Sequence, residues 1–305
     1  MKMQKSAVVC LCISLAIMLV ALVMSLCGMG INFGLDFAGG LNLTYNMNET
    51  FSQDDVKAIL TEQGLKEFSV STVGADGTTL QIRLPQLGDD EIQTVKTSLG
   101  DALRAKYPGV DTTNTNDSYV GPVAGATLIK NAIFSVLLAS ALMLVYIAFR
   151  FDLYSGIAAV IGLLHDVLIM LSAMVLLRNV VQMNSSFIAA MLTIVGYSIN
   201  NTIVIFDRIR ENNKKAEYSS LSRNDVVRLS IKESLGRTIN TTLTTLVTIV
   251  ALYVLGVDAI REFCLPIIVG ILAGAFSANL INGYVWAALE EKRLSAGAKA
   301  KAKKA

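Results

Sequence analysis

Six apolar runs, each about 20 residues long, constrain the fold of this chain more than any other feature of its sequence. They lie at about 7–26, 129–149, 156–177, 187–206, 239–256 and 265–288. A helix of about 20 apolar residues is as long as the hydrocarbon core of a bilayer is thick. The sequence therefore predicts an α-helical polytopic membrane protein with six transmembrane helices. Charged residues make up 16% of the chain, against about a quarter in soluble domains, which supports this prediction.

The distribution of lysine and arginine predicts the orientation of these helices. The first run follows Lys2 and Lys5, and it is longer than the apolar core of a cleaved signal peptide, so we expect it to stay as a helix. Basic residues are also numerous in the segment 207–237 and in the tail 291–305, whereas the short loops on the opposite side hold only Arg178 and Arg261. Because cytoplasmic loops carry the excess of basic residues, both termini are expected in the cytoplasm of a bacterial cell.

The segment between the first two runs, residues 29–127, has the pattern of a small α+β domain. It reads as a strand at 41–46, a helix from Ser52 to 63, strands at 68–73 and 79–84 around a turn at 75–77, a helix at 89–106 and an extended stretch at 110–120. The order β-α-β-β-α-β predicts a ferredoxin-like sandwich. By the orientation above, this domain is extracytoplasmic.

These observations divide the chain into helix 1 at 1–28, the α+β domain at 29–127, helices 2–6 at 128–290 and a basic tail at 291–305. The tail is rich in alanine and lysine, and we expect it to be disordered and to fix the orientation of the chain. Contact of the tail with anionic lipid or ribosomal RNA is the alternative. No nucleic-acid partner is expected otherwise.

The fourth apolar run carries polar residues where a buried membrane helix has few. Gly196, Asn200 and Asp207 share one helical face, and Tyr197, Asn201 and Arg208 form the neighbouring stripe. The opposite side is apolar, so one face suits lipid and the other suits protein or water. Polar groups inside a bilayer are costly and mark a transport pathway or a buried network.

Several motifs, in this order along nearly the whole chain, resemble those of the SecF family of protein-export membrane proteins. They are GLDFAGG at 34–40, VGP at 120–122, YIAFRF at 146–151, LHDV at 164–167, GYSINNTIVIFDRIREN at 196–212 and Arg237-Thr238. The glycines of the first motif predict a turn or a helix-to-strand junction around Asp36. The residues that carry the resemblance are Gly34, Asp36, Phe37, Gly39, Gly40, His165, Asp166, Gly196, Tyr197, Ser198 and Arg208.

The resemblance implies a membrane part of the RND transporter superfamily. It also implies a partner called SecD, association with the SecYEG channel, and an activity that draws an unfolded translocating polypeptide outward with an ion gradient. Membrane lipids surround such a protein, and no cofactor or metal is expected. The chain has no GxxxxGK[ST] motif, so ATP hydrolysis is not expected to drive it.

The ion pathway is the point at which this chain departs from the family pattern. The resemblance implies Asn-Asp at the centre of span four, with the aspartate as proton carrier, but this chain has Asn200-Asn201. Arg237 matches the family's arginine at the start of span five. The candidate pathway residues are Asn200, Asn201, Arg237, Asp207, Thr241 and Thr244.

Three alternatives for ion coupling remain open from the sequence. The SecD partner carries the titrating carboxylate and Asn201 is a relay or a cation ligand, or Asp207 or Asp166 has taken over part of the role. In the third, coupling is lost and the chain is a structural partner. Either H⁺ or Na⁺ is compatible with these residues. A half-size RND exporter of small molecules or lipids is the alternative function.

His165 and Asp166 do not predict an enzyme. Adjacent helical residues point about 100° apart, so we expect the two side chains not to form a dyad with each other. No serine or cysteine nucleophile motif accompanies them. We expect an interior hydrogen-bonding pair near the polar face of span four.

Polar and small residues form stripes on the last two runs. Arg237, Thr241, Thr244 and Thr248 are expected to line a hydrated wall facing span four, and the alternative is hydroxyls bonded to carbonyls of their own helix. Gly270, Gly274 and Ala278 recur every four residues, which predicts a seam for close helix packing.

Overall fold

The structure, a computed structural model, describes residues 2–65, 68–73, 77–85 and 87–302. It separates into two compact units, a helical bundle formed by Met1–Asn32 and Ala132–Ala305, and an α/β domain formed by Phe33–Asn131. The elements in chain order are α1 Lys2–Leu26, α2 Leu35–Ala38, β1 Gly40–Asn46, α3 Gln53–Glu62, β2 Ser69–Val73, β3 Thr79–Leu84, α4 Asp89–Lys106, β4 Asp111–Val120, α5 Pro122–Arg150, α6 Leu153–Leu176, α7 Ser185–Asn212, a 3₁₀ turn Ala216–Tyr218, α8 Arg223–Leu255, α9 Asp258–Ser277, a π-helical turn Ala278–Asn282 and α10 Gly283–Ala302.

Six helical segments of the described chain are long and apolar enough to cross a membrane, which confirms the prediction. The sixth, Ile260–Ala296, runs through α9, the π-helical turn and α10. A π-helical turn inside a span widens the helix by one residue and commonly lies at a functional site.

Two segments are more helical than the sequence suggested. The charged segment expected as a loop at 207–237 is largely helix, because α7 ends at Asn212 and α8 begins at Arg223. The ion pair between Arg208 and Glu211, three residues apart, stabilises the last turns of α7. The tail expected to be disordered is helical to Ala302, since alanine and lysine have high helix propensity.

The core of the bundle lies where α7 packs between its neighbouring helices. Val195, Ile199 and Phe206 of α7 are buried, so the apolar side of span four faces the interior of the chain. The predicted glycine seam packs against this helix. A Cβ on Gly270 would lie 2.4 Å from Ile194 Cγ1, and one on Gly274 would lie 3.0 Å from Ser198 Cβ.

The α/β domain has the ferredoxin-like topology that the sequence predicted. Its sheet has the order β2-β3-β1-β4, and all neighbouring strands are antiparallel. Alternate residues of β1 and β3, such as Leu43 and Ile82, are buried in the core of the domain. Leu60 of α3 and Leu103 of α4 belong to the same core. The predicted turn at 75–77 lies mostly outside the described residues.

The GLDFAGG motif forms a helix-to-strand junction, as predicted. Its centre is the single-turn helix α2, which contains Asp36 and the buried Phe37, and Gly34 precedes it in an extended conformation. Gly39 and Gly40 have φ of +71° and +116°. A Cβ on Gly40 would lie 2.3 Å from the carbonyl oxygen of Leu84, so only glycine lets β1 leave the junction at this place.

Tyr45 is a deeply buried titratable group of this domain. Its side chain is 1% exposed on β1, beside a cavity of about 300 Å³ that Lys96 and Thr112 also line. Burial, and after it the negative charge of Asp117, raises the pKa of Tyr45 from 10.0 to about 12. The folded domain therefore favours the neutral phenol.

We predict a loss of stability of this domain at alkaline pH. Because the unfolded phenol ionises near pH 10 and the folded one near pH 12, the contribution is complete below pH 10 and lost as the pH rises. The free energy of unfolding should fall by up to about 3 kcal/mol over this window. A spectrophotometric titration of tyrosinate should show one late-ionising phenol that is missing in Tyr45→Phe. Loss of an early-ionising phenol from that variant would contradict the prediction.

Candidate functional site in the helical bundle

A buried polar cluster joins three helices of the bundle. Asp166 of α6 has no exposed surface, and its Oδ2 accepts hydrogen bonds from Ser198 Oγ of α7 and from Ser277 Oγ of α9, the latter at 2.9 Å. Its Oδ1 lies 2.9 Å from His165 Nδ1. The His165 ring stacks on Phe276 of α9, with ring centroids 6.0 Å apart. We call His165, Asp166, Ser198 and Ser277 the buried polar cluster.

The expectation that His165 and Asp166 do not contact each other was wrong. Their Cβ atoms diverge, but Nδ1 lies close to the backbone and the carboxylate is short, so the two groups meet beside the helix. The expectation of an interior hydrogen-bonding pair near span four is confirmed, because Ser198 belongs to α7.

A second set of buried polar groups lies next to this cluster along α7. Asn201 is 1% exposed, and its Nδ2 lies 3.5 Å from Thr242 Oγ1 of α8. One position further, Thr202 Oγ1 accepts a hydrogen bond of 2.8 Å from Asn282 Nδ2 of the π-helical turn. The amide of Asn282 fills the space beside Gly162 of α6. Amide–hydroxyl pairs therefore connect α7 to both neighbouring spans.

The two adjacent asparagines of span four point in different directions. Whereas Asn201 is interior, Asn200 is exposed, as are Gly196 and Asp207 on the same face of α7. Within the described residues, the side chains of Asn200 and Asp207 make no hydrogen bond or ion pair. A polar strip of α7 thus lies on the surface of the bundle.

The hydroxyl stripe of span five does not line a wall facing α7, and this expectation was wrong. Arg237, Thr241 and Thr244 are exposed. The hydroxyl groups of Thr241 and Thr244 donate to carbonyl oxygens four residues earlier in α8, at 2.7 and 3.0 Å. The residues of α8 that turn inward are Ser230, Ser234, Thr238 and Thr242, one step around the helix. Tyr197 is the link to the stripe, because its hydroxyl donates to the carbonyl of Thr241 at 3.2 Å.

We call Gly196, Asn200, Asp207, Arg237, Thr241 and Thr244 the exposed polar face. Contacts between α7 and α8 fix their antiparallel register, with Asn201 beside Thr242 at one level and Arg208 beside Glu233 at another. Arg237 lies between these two levels on α8, and on α7 Asn200 and Asp207 each precede one of them by a single residue. No carboxylate among the described residues pairs with Arg237.

Charged residues at the Asn212 end of α7 form a local network. Arg208 donates to Glu233 at 2.7 Å and to Glu211 at 2.6 Å. The fully buried Asn212 donates to Glu233 at 2.7 Å and to Ser230 at 3.0 Å. Local ion pairs and amide hydrogen bonds therefore tie the Asn212 end of α7 to α8.

A family model described as "Protein export membrane protein SecD/SecF, C-terminal" matches residues 99–292. The SecF protein translocase subunit of Thermodesulfovibrio yellowstonii is 35% identical over 250 residues, which cover 82% of this chain and 81% of the relative. The chain belongs to the SecD/SecF family. The SecF subunit of Haemophilus influenzae is 34% identical over 83% of this chain and 75% of the relative. The chain is thus a SecF-type multi-pass membrane protein.

The solved structures of SecDF proteins share the fold. A crystal structure of SecDF from Thermus thermophilus, described as a translocon-associated membrane protein, matches with a TM-score of 0.79 and 33% identity over 95% of this chain. This chain spans only 39% of the length of that SecDF chain.

The sequence reasoning missed the polar residues of the sixth span. Ser277, Asn279 and Asn282 lie inside an apolar run, and polar residues at such depth are a recognisable signal. Ser277 completes the buried polar cluster, and Asn279 Oδ1 accepts from Thr238 of α8 at 3.3 Å. Across the described residues, no group of three or more His, Cys, Asp or Glu side chains could hold a metal ion.

Proposed function

We propose that this chain is a SecF subunit that works with a separate SecD-type chain to assist protein export, using an ion gradient. The observation that carries the proposal is the match to proteins described as SecF subunits. The chain is 35% identical to the SecF subunit of Thermodesulfovibrio yellowstonii over 81% of that relative's length, whereas it aligns with 39% of a SecDF chain, whose remainder corresponds in this proposal to the SecD-type partner. The unfolded polypeptide and the SecYEG channel are the further partners that this role requires.

The exposed polar face supports a partner within the membrane. Asn200, Asp207 and Arg237 are exposed at neighbouring levels of α7 and α8, and lipid tails offer no hydrogen bonds to them. The surrounding surface of α8 is apolar, for example Leu243 and Val247, which are more than half exposed and suit lipid. A SecD-type chain with an acidic group opposite Arg237 would satisfy the exposed polar face.

The same arrangement supports a first carrier of charge in the partner rather than at residue 201. An amide does not titrate, and Asn201 points into the chain toward Thr242, away from Arg237. The positive-inside distribution of basic residues supports cytoplasmic termini and an extracytoplasmic α/β domain.

Export of a secreted reporter in bacterial cells that lack their own SecF tests the proposal. This chain should restore export only when its SecD-type partner is expressed with it, and a compound that collapses the proton gradient should abolish the restored part. Sodium replacement in the medium separates H⁺ from Na⁺ coupling. Restoration by the chain alone would overturn the two-chain assignment, and restoration that ignores every gradient would make the chain a structural subunit. Drug efflux measured in the same cells tests the exporter alternative.

A further inference from the structure

Asp166 occupies a position that no other acidic side chain shares in the part of the chain that the structure describes. It is the one carboxylate in the buried set, with 0% exposure, at the centre of a bundle of apolar helices. His165 beside it is the one histidine of the whole sequence. Burying an uncompensated charge in an apolar interior is costly, so this position needs an explanation.

Only a proton can balance the charge of Asp166 within the described surroundings. The elements that pack on α6 include α1, α5, α7, α9, the π-helical turn and α10. The partners that α7 and α9 present to Asp166 are serines, and no lysine or arginine of the described residues bonds to it. Tyr197, Cys264 and Tyr284, the uncharged titratable groups of the bundle interior, make no hydrogen bond to Asp166 or His165. The charged groups at the helix ends, Asp207, Arg208, Arg261, Glu262, Glu290 and Glu291, make no ion pair with either residue.

The second nitrogen of the imidazole is an independent observation. His165 is only 9% exposed, and its Nε2 atom is buried and has no hydrogen-bond partner among the described atoms. Buried polar atoms without a partner are rare in folded proteins. An imidazole that is bonded on Nδ1 and open on Nε2 has the arrangement of a proton relay.

We propose that the His165–Asp166 pair is the proton-binding site of this chain. Without the proton, Asp166 is a carboxylate and His165 is a neutral imidazole whose hydrogen is on Nδ1. His165 accepts a proton at Nε2 and donates the proton on Nδ1 to Asp166 Oδ1, so the imidazole is neutral again with its hydrogen on Nε2. The loaded pair is therefore neutral, as carboxylic acid and imidazole or, before the transfer, as carboxylate and imidazolium. This inference rests on the proposed ion coupling, and it assigns the coupling group that residue 201 does not provide.

Proton binding changes how the helices are held together. The same carboxylate oxygen, Asp166 Oδ2, accepts hydrogen bonds from Ser198 of α7 and Ser277 of α9. Hydrogen bonds to an ionised carboxylate are about twice as strong as those between neutral groups. Protonation of Asp166 therefore loosens both contacts together. Because α7 also carries the exposed polar face, this change is transmitted to the surface that meets the partner.

The test uses the full chain with its SecD-type partner, reconstituted in lipid vesicles. Infrared spectra recorded over a pH series follow the C=O stretching band of protonated carboxyl groups, and reporter export is measured with and without a proton gradient. Asp166→Asn should lose one titrating carboxyl band and the gradient-dependent part of export. Asp166→Glu should keep both, with a shifted pH midpoint. His165→Asn keeps a donor near Nδ1 but cannot relay, so it should slow the response to a pH jump.

Ser172→Ala is the matched control, because Ser172 is also a buried polar residue of α6 and bonds only to the carbonyl of Leu168, at 2.7 Å. It should retain the band and the gradient response. If wild type responds to the gradient and Asp166→Asn keeps both the response and the band, the inference is overturned. If wild type shows no gradient response, the proposed ion coupling fails first. A variant that does not fold is recognised by the loss of complex formation with the partner. In that case Asp166→Glu decides, because the inference requires that the pH midpoint of its carboxyl band differ from that of wild type.

Discussion

Alanine at Gly162 should destabilise the helical bundle by about 3–5 kcal/mol. A Cβ there would lie 1.9 Å from Oδ1 of Asn282 and 2.5 Å from its Cγ, which is far inside van der Waals contact. Asn282 is 1% exposed in the π-helical turn and is held by its hydrogen bond to Thr202. The added methyl group therefore forces Asn282 out of its position, and the bond that ties the sixth span to α7 is lost.

Thermal unfolding of the purified chain in detergent micelles measures this effect. Gly236→Ala in α8 is the control, since its Cβ would meet no atom within 4 Å and alanine raises helix propensity by about 1 kcal/mol. The double variant Gly162→Ala, Asn282→Ala removes the clash and should recover part of the loss. A melting temperature of Gly162→Ala equal to that of wild type would show that Asn282 does not pack against α6.

Removal of the Arg237 side chain should leave the isolated chain as stable as wild type and weaken its complex with the SecD-type partner. Arg237 is exposed and has no partner among the described residues, so its loss should change the free energy of unfolding by less than about 0.5 kcal/mol. In the complex, an arginine that pairs with an acid across an interface contributes about 2 kcal/mol or more, or about 30-fold in affinity.

Co-purification with the partner and quantitative binding in micelles measure the second effect. Lys232→Ala is the matched control, because Lys232 is an exposed cation of the same helix that lies outside the exposed polar face. Arg237→Lys should recover little, since a lysine cannot form the paired hydrogen bonds of a guanidinium group. Arg237→Ala binding as tightly as wild type would show that the partner does not contact α8 at this level.

Local patterns in the sequence determined the number of helices and the topology of the α/β domain. The length of each apolar run fixes a membrane-spanning helix whatever surrounds it, and the alternation of β1 and β3 fixes which residues enter a core. The positive φ of Gly40 was also predictable, because glycine permits it at a junction. The limits of α7 and α8 were not, since both helices continue beyond the apolar runs into charged segments, where ion pairs such as Arg208–Glu211 and Arg208–Glu233 form.

Only the tertiary structure decided which polar residues meet. The helical period fixes the angle between Asn200 and Asn201 around their own axis, but it does not say which of them points into the chain. In a soluble protein the apolar side would identify the interior, whereas in a membrane both lipid and protein core are apolar. The structure shows that the apolar side of α7 is the packed side. Asn200 lies on the surface, and Ser198 bonds to Asp166. The partners of a membrane helix depend on how the helices pack together, which short-range sequence patterns do not encode.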